Sequence, residues 1–126
     1  MPWFSYVALC LTLLVAGDVG AVADEKKLSA HEIVQALLGN TVEGRWAETA
    51  YRSYFAPDGT SVYQPEGQPP EASKWRVDGE ADRYCAHRET SGWSCYDVYR
   101  AGDTIIWRDP AAGTRYPSAL LQGRQL

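Results

Sequence analysis

The sequence is poor in the residues that most often carry chemistry. It has two histidines, His31 and His87, and three cysteines in 126 residues. Neither histidine stands at metal-ligand spacing, so no zinc or haem site and no other cofactor is expected. A Cys-x-x-Cys pair is missing, which argues against a thiol redox centre. No nucleophile elbow occurs, so a Ser-His-acid triad has no sequence support. Basic runs are missing too. The 12 Lys and Arg are interspersed among 16 Asp and Glu, giving a net charge of −4. That balance argues against nucleic acid or anionic lipid as a partner. Long apolar runs are equally scarce. The one candidate, Val7 to Ala16, is shorter than the roughly 20 residues a membrane span needs, and Asp18 interrupts any extension.

That run has the length of a signal-peptide h-region. Gly17-Asp18-Val19-Gly20 breaks it, and Ala21-Val22-Ala23 gives the small-x-small pattern of a cleavage site. Residues 1–23 are therefore expected to be a cleaved leader and 24–126 one small domain, periplasmic or secreted. One feature departs from the leader pattern, since no Lys or Arg precedes the apolar run, and the rival reading is an uncleaved anchor. Cys10 lies inside the run and follows Leu9, which does not suit a lipoprotein site. Export leaves Cys85 and Cys95, and an even pair in an oxidising compartment reads as a structural disulfide.

The clearest helix signal spans 29–38. Ser29 stands three residues before Glu32, the capping-box spacing, with Leu28 and Ile33 at the hydrophobic-staple positions. Ala30, Ile33, Val34, Leu37 and Leu38 form one apolar stripe, and Gly39 supplies a left-handed stop. So short a helix must dock on something.

From Thr41 onward, aromatic and β-branched residues alternate with polar ones between regularly spaced turn signals. The fold class is expected to be mainly β: an antiparallel meander of six to eight strands, as a small barrel or half-open sheet, with the N-terminal helix packed on it. Thr41 to Glu48 and Thr49 to Phe55 are separate strands or one long bent strand. Asp78-Gly79 predicts a two-residue hairpin with Val77 opposite Glu80, Trp75 opposite Asp82 and Ser73 opposite Tyr84. Trp75, Val77, Tyr84 and Ala86 then share a face. Centring the next hairpin on Thr90 places Tyr84 opposite Tyr96, Arg83 opposite Asp97 and Cys85 opposite Cys95. One register thus gives an aromatic pair, an ion pair and a disulfide. The last strand is placed near Thr114 to Pro117, and Leu120 to Leu126 shows no pattern.

Aromatics are the one enrichment. After the leader come Trp46, Trp75, Trp93 and Trp107, seven tyrosines and Phe55. Most belong to a core. Trp93 and Tyr99, with His87 and Arg88 beside a loop, are the candidate binding surface. The carboxylates Glu80, Asp82, Glu89 and Asp97 could supply an acid–base pair in a cleft, but their positions at turns and strand ends suit a solvated edge better.

Several short motifs also carry a resemblance. Leu28 to Gly44 (LSAHEIVQALLGNTVEG), Tyr54-Phe55-Ala56-Pro57-Asp58-Gly59, Trp75-Arg76-Val77 and the pair Cys85 and Cys95 are similar to a group of small exported bacterial proteins of unknown function. The resemblance implies a helix followed by a β-meander in the envelope, and it brings no catalytic residues. The expected function is a non-enzymatic binding or accessory module whose partner is an envelope protein, a wall component or a small ligand. One alternative is an inhibitor of a hydrolase such as a lysozyme or protease, presenting the loops Pro65 to Pro70 and Arg88 to Gly92. Another is an enzyme with a carboxylate or His87 site.

Overall fold

A computed structural model describes residues 24–126. The expected leader, residues 1–23, and with it Cys10, lie outside the described residues. The elements run in the order β1 (Lys26–Lys27), α1 (Ala30–Leu37), β2 (Thr41–Trp46), β3 (Thr49–Phe55), β4 (Thr60–Pro65), β5 (Glu71–Asp78), β6 (Arg83–Arg88), β7 (Gly92–Ala101), β8 (Thr104–Arg108) and β9 (Arg115–Leu121). Each strand from β2 to β9 pairs antiparallel with the next, and β9 returns to pair with β2. Eight strands thus close an up-and-down barrel, which leaves no open sheet edge. The ninth strand, β1, lies before the helix and pairs with the far end of β7, so the chain has one strand more than the sequence suggested and the helix is not its first element.

The alternation of apolar and polar residues decides which side chains point inward. Val42, Phe55, Trp75, Tyr84, Val98, Ile105, Trp107 and Leu120 are buried in one continuous core. The helix adds Ile33, Ala36 and Leu37 to it, and Leu28, just before the helix cap, joins them. It lies across the end at which β2 begins and β3 ends. The capping box forms as the spacing predicts: the Glu32 N–H donates to Ser29 Oγ at 3.2 Å, and the Ser29 N–H donates to Glu32 Oε1 at 3.1 Å. Lys26 pairs with the same carboxylate. That contact, followed by the Ser29 N–H, lowers the Glu32 pKa from 4.5 to about 2. Gly39 takes φ 77° at the helix exit. Its N–H reaches the Phe55 carbonyl at 2.8 Å, while the Phe55 N–H donates to the Asn40 carbonyl at 3.1 Å.

The β6–β7 hairpin has the expected register. Arg83 faces Asp97, Tyr84 faces Tyr96, and Cys85 faces Cys95. The two cysteines form a disulfide with Cα atoms 4.0 Å apart. It lies on the outer face of the barrel, yet Cys85 has no exposed surface.

The β5–β6 turn corrects the expectation. Val77 pairs with Tyr84, Trp75 with Ala86 and Lys74 with His87, so the loop spans Gly79 to Asp82. Two aspartates impose it. Asp78 Oδ1 accepts the N–H groups of Glu80 and Ala81 at 3.0 and 3.2 Å, an Asx turn. Asp82 adopts a left-handed φ of 51° and accepts the Ala30 N–H at 2.8 Å. A carboxylate at the helix N-terminus is favoured by the helix dipole. Because the pairing shifts by an even number of residues, Trp75, Val77, Tyr84 and Ala86 still share the inner face.

Three further points differ from or settle the sequence reading. Thr41 to Phe55 is a tight hairpin rather than a bent strand, turned at Ala47 with φ 54°. Asp97 sits on no solvated edge: it is 6% exposed in mid-strand and paired with Arg83 at 3.1 Å and Arg108 at 3.2 Å. The last strand runs on to Leu121, with Leu120 in the core. Pro117 stands one residue beyond the β2–β9 ladder, which ends at the pair Gly44–Ser118, where its missing N–H costs no bond there. The segment after β9 is also held. Gly123 carbonyl accepts Thr41 Oγ1 at 2.7 Å, and Arg52 donates to the Gln125 carbonyl at 2.7 Å.

Candidate functional site

The helix closes one end of the barrel, and the other end is open. Beneath that opening lies a cavity of about 250 Å³. Its floor is Val42, Phe55, Tyr84 and Trp107, its flanks carry Tyr51, Tyr63 and Tyr96, and Trp46, Arg88 and Ser91 stand toward the mouth. The cavity exists because inward positions of the upper half carry small residues. Ser53, Ala86 and Ser94 line it where larger side chains would fill a barrel of eight strands.

The rings are held in place. Trp107 Nε1 donates to Ser118 Oγ at 3.0 Å, and that hydroxyl donates to the Ile105 carbonyl at 2.9 Å. Tyr84 packs 4.8 Å from Trp107 between centroids and edge-on to Phe55 at 5.7 Å. Tyr51 lies across Gly44, its strand partner, so closely that a Cβ there would stand 2.9 Å from the phenol oxygen. Gly44 is therefore a place for a ring to lie flat. Trp46 stacks obliquely on Tyr116 at 4.7 Å and is 41% exposed.

The titratable groups of the lining are four phenols and a guanidinium. Burial, reinforced by neighbouring Tyr63, pushes the Tyr51 pKa from 10.0 to about 12. Burial raises Tyr84 further, helped by Tyr51 and Tyr96 and opposed by Arg88. Tyr96 is also raised, again by burial first. These phenols are hydroxyl donors at neutral pH. Raised folded-state values mean that stability is intact below pH about 10 and is lost as pH climbs toward 12 and beyond. In an alkaline titration read by tyrosinate absorbance, Tyr51 and Tyr84 are expected to ionise last, with denaturation midpoints falling over the same window. Ionisation of all seven tyrosines near pH 10 in the folded protein would contradict this packing.

Arg88 Cζ lies 5.6 Å from the Tyr63 ring centroid. It belongs to none of the ion pairs among the described residues.

The four residues singled out from sequence do not form one site. Arg88 points inward at the cavity mouth. His87 and Trp93 meet on the outer face with ring centroids 5.1 Å apart, and Arg76 lies 4.5 Å over the Trp93 ring. Tyr99 lies six residues from Trp93 along β7 and instead carries Arg115, 5.0 Å over its ring. Sequence alone counts most of the aromatics as core and does not set the cavity tyrosines apart. The signal for a cavity was the row of serines and alanine on the inner face, alternating along the same strands with Tyr51, Tyr84 and Tyr96.

Compared with known families, curated proteins and solved structures, the chain matches none.

Proposed function

We propose that this chain is an exported, non-enzymatic binding module that takes a small organic molecule into the open end of its barrel. The observation that carries the reading is the aromatic-walled cavity, stoppered by a helix at one end and open at the other. Barrel mouths are a recurrent place for small-molecule sites, and a few polar groups among apolar walls are what such sites use. Export is supported by the Ala21-Val22-Ala23 pattern and by the Cys85–Cys95 bridge, a bond that persists in oxidising compartments. It also agrees with the resemblance to small exported bacterial proteins.

Filling the cavity tests the reading. Ala86 is an inward residue of its wall, and Ala86→Trp would occupy much of the space. Native mass spectrometry against a library of small organic compounds should show bound species with the wild type and none with the variant. Identical binding by both, or none by the wild type, would remove the proposal.

A second reading, a hydrolase inhibitor, draws support from loop placement. The β4–β5 loop at 66–70 is exposed throughout, and it shares the open end with the β6–β7 loop at 89–91. Inhibition of a lysozyme or protease from a panel at micromolar concentration, lost on shortening 66–70, is the outcome that reading requires.

A further inference from the structure

Resting on the cavity reading, we infer that the ligand class is a planar one- or two-ring molecule bearing a single carboxylate, bound ring-first with its acid at the mouth against Arg88. Size is the first argument. A space of about 250 Å³ filled to a packing density of about 0.74 holds about 185 Å³ of ligand. The cavity itself is below the usual range for drug-sized sites, about 300 Å³ upward, and suits one or two rings.

Shape and polarity are the second. The floor is aromatic, with Phe55, Tyr84 and Trp107 at mutual centroid distances of 4.8 to 6.3 Å. Tyr51 and Tyr63 add a second ring pair at 5.5 Å. Aromatic surfaces of this kind pack well against another ring, edge-on or offset. The phenols lie on the floor and flanks, and the one charged group, Arg88, stands with Ser91 toward the mouth. A molecule matched to this gradient has an apolar body and one polar end.

Charge is the third. The cavity lining contains no carboxylate, and Arg88 is its one ionised side chain. A guanidinium offers paired N–H donors to a carboxylate, and its place over Tyr63 keeps it at the opening. The phenols, as hydroxyl donors, add to a site short of negative charge. Glu71 lines an adjoining space of about 80 Å³ that shares Tyr63 and Arg88, but no carboxylate lines the main cavity itself, so a cationic ligand there would meet Arg88 alone.

The test uses 2-naphthoate and its neutral isostere 2-naphthamide, titrated at pH 7 with NMR detection. A charge-assisted contact predicts that wild type binds the acid roughly tenfold or more tightly than the amide. In Arg88→Gln the acid should fall to the level of the amide, and amide binding should stay within about twofold, since the apolar floor is unchanged. Arg88→Lys should restore part of the preference. Arg88 is exposed, so these variants should keep the wild-type melting temperature. If acid and amide bind alike, or Arg88→Gln keeps the preference, the carboxylate class is wrong while the cavity reading stands. If neither probe binds and the compound library also yields nothing, both fall.

Discussion

Phe55→Ala should remove about 3–5 kcal/mol of stability, the range for deleting a large aromatic from a packed core. Phe55 is 1% exposed and sits where three parts of the fold meet. Its ring is edge-on to Trp75 at 5.5 Å and to Tyr84 at 5.7 Å, and tilted against Trp107 at 6.3 Å. Its backbone holds the helix exit through Gly39 and Asn40. Removing the ring enlarges the cavity downward and loosens the helical stopper at once. A domain of this size has about 5–15 kcal/mol in total, so the denaturant midpoint should fall by a large fraction. A loss below about 1.5 kcal/mol would mean that the ring does not join barrel to helix as described.

Replacing both cysteines, as Cys85→Ala with Cys95→Ala, should cost about 2–3 kcal/mol. The bridge closes a loop with a sequence separation of 10, and the chain-entropy account gives about that value for so small a loop. The fold should survive, because the hairpin register has independent support. Tyr84 faces Tyr96 on the inner side, and Asp97 is gripped by Arg83 and Arg108 on the outer side. The expected outcome is an unchanged far-ultraviolet spectrum with a lower unfolding midpoint, reproduced by reducing the wild-type protein. Equal midpoints for oxidised and reduced protein would show that the bridge contributes nothing.

Much of the architecture was legible because local chemistry and the period-two pattern agree. Ser29 and Glu32 fix the start of the helix, and Gly39 fixes its end. The β6–β7 register was readable because three residue pairs of different chemistry align only one way. Where the reading failed, a distant group decided. Asp78-Gly79 resembles a two-residue turn, but Asp82 is drawn away to the helix N-terminus at Ala30, and that contact spans 52 residues. The extension of β9 was hidden because Pro117 looks like a terminator. Its tolerance depends on the β2–β9 ladder stopping at Ser118, a fact of closure that no local window contains.

The site was less legible, for a related reason. Sequence ranks aromatics by type, but barrel geometry decides which rings fill space and which surround it. Trp75 and Trp107 are buried, whereas Trp46 at the mouth and Trp93 on the outer wall are each 41% exposed. His87 and Arg88 are adjacent in the chain and lie on opposite sides of the wall, as successive strand residues must. Grouping them as one surface overlooked that alternation.

Chemical-shift mapping with 2-naphthoate distinguishes these two locations most directly. A ligand in the barrel predicts that the largest shifts fall on Tyr51, Tyr63, Tyr84, Tyr96 and the Ala86 amide, with His87 and Trp93 nearly still. Shifts centred on Trp93, His87 and Arg76, with the inner tyrosines unmoved, would contradict the account and move recognition to the outer wall.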